Sequence, residues 1–193
     1  MIIGLTGGIG SGKSTALRAL KENGYETVSC DEITRDLYCC RKTLKRLKAE
    51  FPSAISGVFR LKADKKEIAR IVFSDKEKHR FLTDLLTRET FKIAMRRAEK
   101  LVKNGGTVIV EVPLLLENDL QNAFDEIIVI ARDKTARIES VKTRSALSDE
   151  EVSARLAAQV DYDALDLSAY TVIKNDGTKE DLAAAVLKAV KDF

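Results

Sequence analysis

Scarcity is informative in this chain of 193 residues, which has two prolines, three cysteines and one histidine. With ten glycines, 45% hydrophobic and 33% charged residues, the composition excludes disordered and collagen-like proteins. The cysteines, Cys30, Cys39 and Cys40, are odd in number and lack metal-ligand spacing. Adjacent Cys39 and Cys40 are poor partners for an ordinary disulfide, so reduced thiols are expected, with buried packing as their default. His79 has no neighbouring ligand set, which argues against a zinc site or a triad built on it. No apolar run approaches the ~18 residues that suggest a membrane span. Met1–Leu5 lacks a basic start and runs straight into a glycine-rich motif, unlike a signal peptide. Thirty-three basic and thirty acidic residues leave +3, too balanced to argue for nucleic acid. The expectation is a soluble, cytoplasmic monomer with no membrane or nucleic-acid partner. Its length suffices to bury a core without metal or disulfide staples.

What is present alternates. Five β-rich runs stand out: Met1–Thr6, Glu26–Cys30, Thr107–Val112, Glu126–Ala131 and Tyr170–Lys174. Near-continuous apolar stretches such as Ile2–Leu5 and Ile127–Ile130 suit central strands covered on both faces. Helical patterns lie between them, which predicts an α/β, three-layer fold with a five-stranded parallel sheet. The first helix carries Ala16, Leu17 and Leu20 inward and stops at Asn23-Gly24. The gap of about residues 31–106 is too long for one crossover and reads as helices over Glu32–Glu50, Lys65–Phe73 and Lys76–Lys103. A second insertion spans Lys134–Gln159, with Ser148–Glu151 as a capping-box start. Lys179–Asp192 closes the chain as an amphipathic helix.

The strongest signal is Gly7-Gly8-Ile9-Gly10-Ser11-Gly12-Lys13-Ser14-Thr15, which fits G-x-x-x-x-G-K-[ST]. It follows a strand and opens a helix, the context such a loop needs. Glycines let successive N–H groups converge on a phosphate, and the helix N-terminus adds partial positive charge. Lys13 would reach the β- and γ-phosphates, Ser14 would ligate Mg²⁺, and Thr15 can add a phosphate hydrogen bond. No Asp has Gly three residues later and no Asn precedes Lys, so a GTPase switch is unsupported. A small-molecule kinase fits, with the two insertions supplying an acceptor site and a lid.

At this point the chain resembles the dephospho-CoA kinase family. The resemblance is carried by Leu5–Thr15, Val28–Arg35, Ile71–Asp75, Val110–Glu117, Arg155–Gln159 and Val172–Gly177. These landmarks run in order over nearly the whole chain. The chain departs from the family pattern at five places, six residues in all. Ser29 stands where the family has its first Asp, Thr87-Arg88 replaces a His-Pro pair, and Ser140 replaces the first lid arginine. Glu111 replaces the Walker-B-like Asp, and Leu165 lies near an expected basic residue. The resemblance implies a P-loop core over about 1–31, 104–133 and 160–193, a helical CoA-binding insertion over 32–103 and a lid over 134–159. It also implies ATP and dephospho-CoA as substrates.

Asp31, at the C-terminal edge of the sheet, can accept the proton of an acceptor hydroxyl and matches the family's catalytic Asp. The alternative is that it only N-caps a helix starting at Glu32. Arg35, one turn on, can hold an acceptor phosphate or merely pair with Asp31 on the surface. Glu111 can hold Mg²⁺ through water, or be a strand-end charge. Pro113 and Leu114 shape an acceptor wall, and Glu117 is an acceptor contact or a solvated carboxylate. Arg137 and Arg144, in the lid, can close on the transferring phosphate, or lie on a solvated helix. Arg88, Lys92, Arg96 and Lys100 form a helical stripe suited to a phosphate-rich acceptor, though for most of them a solvated face serves as well.

Overall fold

Apolar β-branched runs build one parallel sheet from β1 (Ile2–Thr6), β2 (Glu26–Ser29), β5 (Val108–Glu111), β6 (Glu126–Ala131) and β7 (Thr171–Lys174). Their order is β2-β5-β1-β6-β7, and every neighbouring pair is parallel. The computed structural model describes residues 1–103, 105–144, 159–162 and 164–193, with Arg144 described by its backbone alone. The expected helix start at Ser148–Glu151 lies outside the described residues.

Two helices belonging to this sheet are α1 (Lys13–Glu22) and α7 (Lys179–Asp192). Ile3, Leu5, Ile109, Ile128 and Ile130 of the strands pack with Ala16 and Leu20 of α1 and Leu182, Val186 and Val190 of α7. Burying each large aliphatic side chain contributes roughly 1.5–3 kcal/mol. Helix α1 ends as read: Gly24 has φ +88°, its N–H reaches Lys21 O and the Tyr25 N–H reaches Leu20 O, both at 3.1 Å. Such a left-handed residue costs glycine nothing and would strain a side chain. Helix α6 (Lys134–Arg144) follows β6, starting beyond Asp133, whose carboxylate accepts from the Thr135 and Ala136 amides.

The chain divides into two compact units, Met1–Ser29 with Arg97–Phe193, and Cys30–Arg96. The second holds α2 (Cys30–Leu37), α3 (Arg41–Glu50), a hairpin of β3 (Ile55–Ser56) and β4 (Lys62–Ala63), α4 (Lys65–Ser74) and most of α5 (Lys76–Val102). Its own core gathers Leu44, Leu47, Phe51, Ile55, Ile68 and Leu85, with the Phe51 and Phe81 rings 6.2 Å apart.

Three expectations for this unit need correction. The helix read over Glu32–Glu50 is two helices, because Cys40 is extended (φ −76°, ψ 121°) and begins α3. Tyr38, Cys39 and Cys40 are weak helix formers in sequence, and a turn there costs little. Cys39 and Cys40, in that turn, are therefore exposed rather than packed, and only Cys30 is buried. The hairpin is an addition to the helices read there, since strands of two residues leave no alternation to read. No helix among the described residues is long and apolar enough to cross a membrane.

Candidate active site

The site begins where β1 ends. Residues Gly7–Gly12 turn between β1 and α1, and Gly10, at φ +77°, adopts a backbone open to glycine. Lys13 is only 9% exposed, and its Nζ donates to Gly7 O at 2.7 Å and Gly8 O at 3.0 Å. The ammonium is thus seated over the loop before any ligand arrives.

The loop is held by residues distant in sequence. Gln159 Oε1 accepts from the Ile9 amide at 2.6 Å, and Asn175 Nδ2 donates to Ser11 O at 2.7 Å. Arg132 donates to Gly10 O at 3.3 Å. Arg137, 5% exposed on α6, lies against the loop as well: a Cβ on Gly8 would collide with its guanidinium, and one on Gly10 with its backbone carbonyl. Ser11 Oγ is buried with no hydrogen-bond partner among the described residues. A loop braced from outside, with a seated lysine and a buried arginine, is prepared for phosphate oxygens.

Glu111 ends β5, where the parallel register sets it opposite Leu5 of β1 and Ser29 of β2. It is 2% exposed. Its Oε1 accepts from the Ser14 hydroxyl at 3.2 Å and its Oε2 from the Ser29 hydroxyl at 2.9 Å. A carboxylate and a hydroxyl are hard oxygen donors, a set that suits Mg²⁺ completing its shell with water and phosphate. Among the described residues no group of three His, Cys, Asp or Glu could form a protein-only cage.

Beyond β5, Pro113 and Leu114 are half-buried and Leu115 is fully buried. Glu117 is half-buried and accepts from the Val160 amide at 3.4 Å and the Tyr162 hydroxyl at 3.5 Å, both long contacts. Burial pushes the Tyr162 phenol up to about 12, so it stays protonated near neutrality.

Asp31 and Arg35 stand on α2, in the other unit, and both are exposed. Asp31 is the second residue of the helix rather than its cap. Arg35 pairs with Glu32 at 4.0 Å, not with Asp31. Arg88, Lys92, Arg96 and Lys100 are exposed along α5. Arg144 is the last residue of α6, and its side chain lies outside the described residues.

A model of the dephospho-CoA kinase family matches residues 1–181. The chain belongs to that family. The dephospho-CoA kinase of Thermus thermophilus is 36% identical over 191 residues, covering 98% of this chain and 90% of the relative. A crystal structure of a Thermus thermophilus protein superposes with TM-score 0.80 at 32% identity, covering 100% of this chain and 97% of the other. Shikimate kinase from Acinetobacter baumannii shares the fold, with TM-score 0.54 at 16% identity over 99% of this chain and 93% of its own. The chain is a kinase with a P-loop α/β fold.

For this dephospho-CoA kinase family member, sequence reasoning brought out Lys13, Ser14, Glu111 and Arg137, which lie in the same unit. It missed Arg132 and Tyr162. Arg132 had one usable signal, a cation directly after the apolar strand β6, at the sheet edge where ligands bind. Tyr162 had none, being a single aromatic between Asp161 and Asp163.

Proposed function

We propose that this chain transfers the γ-phosphoryl group of ATP to the ribose 3′-hydroxyl of dephospho-CoA, giving CoA and ADP, the last step of CoA biosynthesis. The observation that carries the reading is the family match over residues 1–181, laid on a phosphate loop in which Lys13 is already seated.

Residues Gly8–Thr15 bind the triphosphate through loop amides, and Lys13 follows the β- and γ-phosphates. Ser14 and Glu111 would hold Mg²⁺, Glu111 through water; when bound, the ion offsets phosphate charge. Arg137, with Arg144 further along α6, would meet charge developing on the transferring group. The acceptor oxygen forms a bond to γ-phosphorus while the bond to the β,γ-bridging oxygen breaks, and ADP leaves. Asp31 takes the hydroxyl proton. Arg35 holds an acceptor phosphate, and Pro113, Leu114 and Glu117 line the acceptor wall. Residues 32–103 serve as the acceptor-binding region and 134–159 as a lid. The enzyme acts as a cytoplasmic monomer with no nucleic-acid or membrane partner.

The test is an acceptor screen at fixed ATP and Mg²⁺ that reads ADP release, with phosphorus NMR on the product. Stimulation by dephospho-CoA, with new phosphate on the 3′-oxygen, is expected. Stimulation by another nucleotide-like acceptor alone would replace the substrate, and no stimulation by any acceptor would point to a regulator that only binds nucleotide.

A further inference from the structure

Ser29 has no part in the reaction as described above, yet it touches its most enclosed carboxylate. The register places Ser29 directly across from Glu111 on the neighbouring strand. Its hydroxyl donates to Glu111 Oε2 at 2.9 Å, while Ser14 donates to Oε1 at 3.2 Å. A carboxylate 2% exposed is thus gripped by a hydroxyl on each oxygen.

The two grips differ in kind. Ser14 belongs to the phosphate loop, and to offer a lone pair to a cation its hydroxyl must turn its proton away from that cation. Ser29 lies on β2, outside the loop, and can keep its bond to Glu111 whatever Ser14 does. A glutamate has three side-chain torsions, and one fixed oxygen removes most of that freedom. The oxygen bonded to Ser14 would then keep one orientation toward a cation held at Ser14.

We propose that Ser29 is a positioning residue: its hydroxyl fixes the Glu111 carboxylate so that the other oxygen receives a metal-bound water beside Ser14. The inference rests on the metal role given to Glu111 under the proposed function. Partners of this kind typically change metal affinity by about 10–100-fold when removed.

The experiment titrates Mn²⁺ by electron paramagnetic resonance in the presence of ATP, on wild type, Ser29→Ala, Ser29→Thr and Glu111→Gln. Binding of ATP without metal, by calorimetry, checks that each variant keeps the loop. Ser29→Ala is expected to weaken Mn²⁺ about tenfold, with metal-free ATP binding within about twofold, and Ser29→Thr to restore wild-type binding. In turnover, Ser29→Ala should raise the Mg²⁺ concentration for half-maximal rate about tenfold and leave KM for the acceptor unchanged. Wild-type Mn²⁺ binding in Ser29→Ala, with Glu111→Gln weakened, overturns the role of Ser29 and leaves the metal reading standing. Wild-type binding in both variants overturns the metal reading, and the inference with it. A defect that also removes metal-free ATP binding, or that Ser29→Thr fails to restore, assigns Ser29 to packing and likewise overturns the proposal.

Discussion

The phosphate loop and helix α2 share the proposed chemistry but are built in opposite ways. Around the loop, Lys13, Glu111 and Arg137 are each at least nine-tenths buried. On α2, Asp31 and Arg35 are exposed, and the Arg35–Glu32 pair spans 4.0 Å with side chains 70% and 68% exposed. A pair so placed contributes little, about 0–1 kcal/mol. The loop's groups are ordered by protein contacts alone, so their entropy cost is met on folding. The groups on α2 keep rotamer freedom, and ordering them costs roughly 0.5–1.5 kcal/mol each when a ligand binds. The difference predicts that loop variants damage the chemical step, whereas most α2 variants damage acceptor binding.

Lys13→Ala tests the first half most severely. It removes the ammonium seated on Gly7 and Gly8 and should lower kcat by about 10³-fold or more, with the circular dichroism spectrum unchanged. Near-normal turnover in a folded variant would sink the phosphoryl-transfer reading.

Asp31→Asn is the exception the comparison allows on α2, because Asp31 is proposed to take a proton. General-base loss costs ~10²–10⁴-fold in kcat, and the expected loss is at the lower end, with KM for ATP unchanged. Asp31 is exposed in the first turn of α2 and Asn keeps its size without its charge, so a variant within about twofold of wild type would remove Asp31 from the chemistry and place the base elsewhere.

Arg35→Ala should raise KM for the acceptor about tenfold, the value of one charge-assisted phosphate contact, and spare kcat and KM for ATP. A matched fall in kcat would instead place Arg35 with the buried groups of the loop and dissolve the contrast.

What was legible in the residues follows the same division. The parallel strands, the phosphate loop and the Gly24 stop are local patterns, and each recurs in the structure within a residue or so. The grip of Ser29 on Glu111 joins positions 82 apart, and no periodicity reports such a pair. The same holds for Gln159 and Ile9, 150 apart. In the helical unit the failures were local instead. The turn at Tyr38–Cys40 interrupts a pattern whose apolar positions continue in phase from Ile33 and Leu37 to Leu44 and Leu47. Periodicity cannot see a break that preserves its phase.

Thr178 separates stability from chemistry within the phosphate unit and carries the smallest expected effect. Its hydroxyl accepts from the Asp181 amide at 3.1 Å, and Asp181 Oδ2 accepts from the Thr178 amide at 2.9 Å. This capping box opens α7, whose Leu182, Val186 and Val190 complete the core under the sheet. Thr178→Ala should cost about 1 kcal/mol of unfolding free energy, read by urea denaturation, and Thr178→Ser should cost far less. Bonds from Thr178, its amide first, hold the Asp181 carboxyl below the usual carboxylate range. A carboxyl depressed on folding stabilises above its unfolded pKa, and that contribution fades as pH falls through the folded value. The gap between wild type and Thr178→Ala should therefore be full near neutrality and shrink in acid. Turnover should stay within about twofold, because among the described residues the hydrogen bonds of Thr178 go to α7 itself and not to the loop or Glu111; a larger fall would show that the α7 cap also sets the loop, through neighbouring Asn175 and its bond to Ser11.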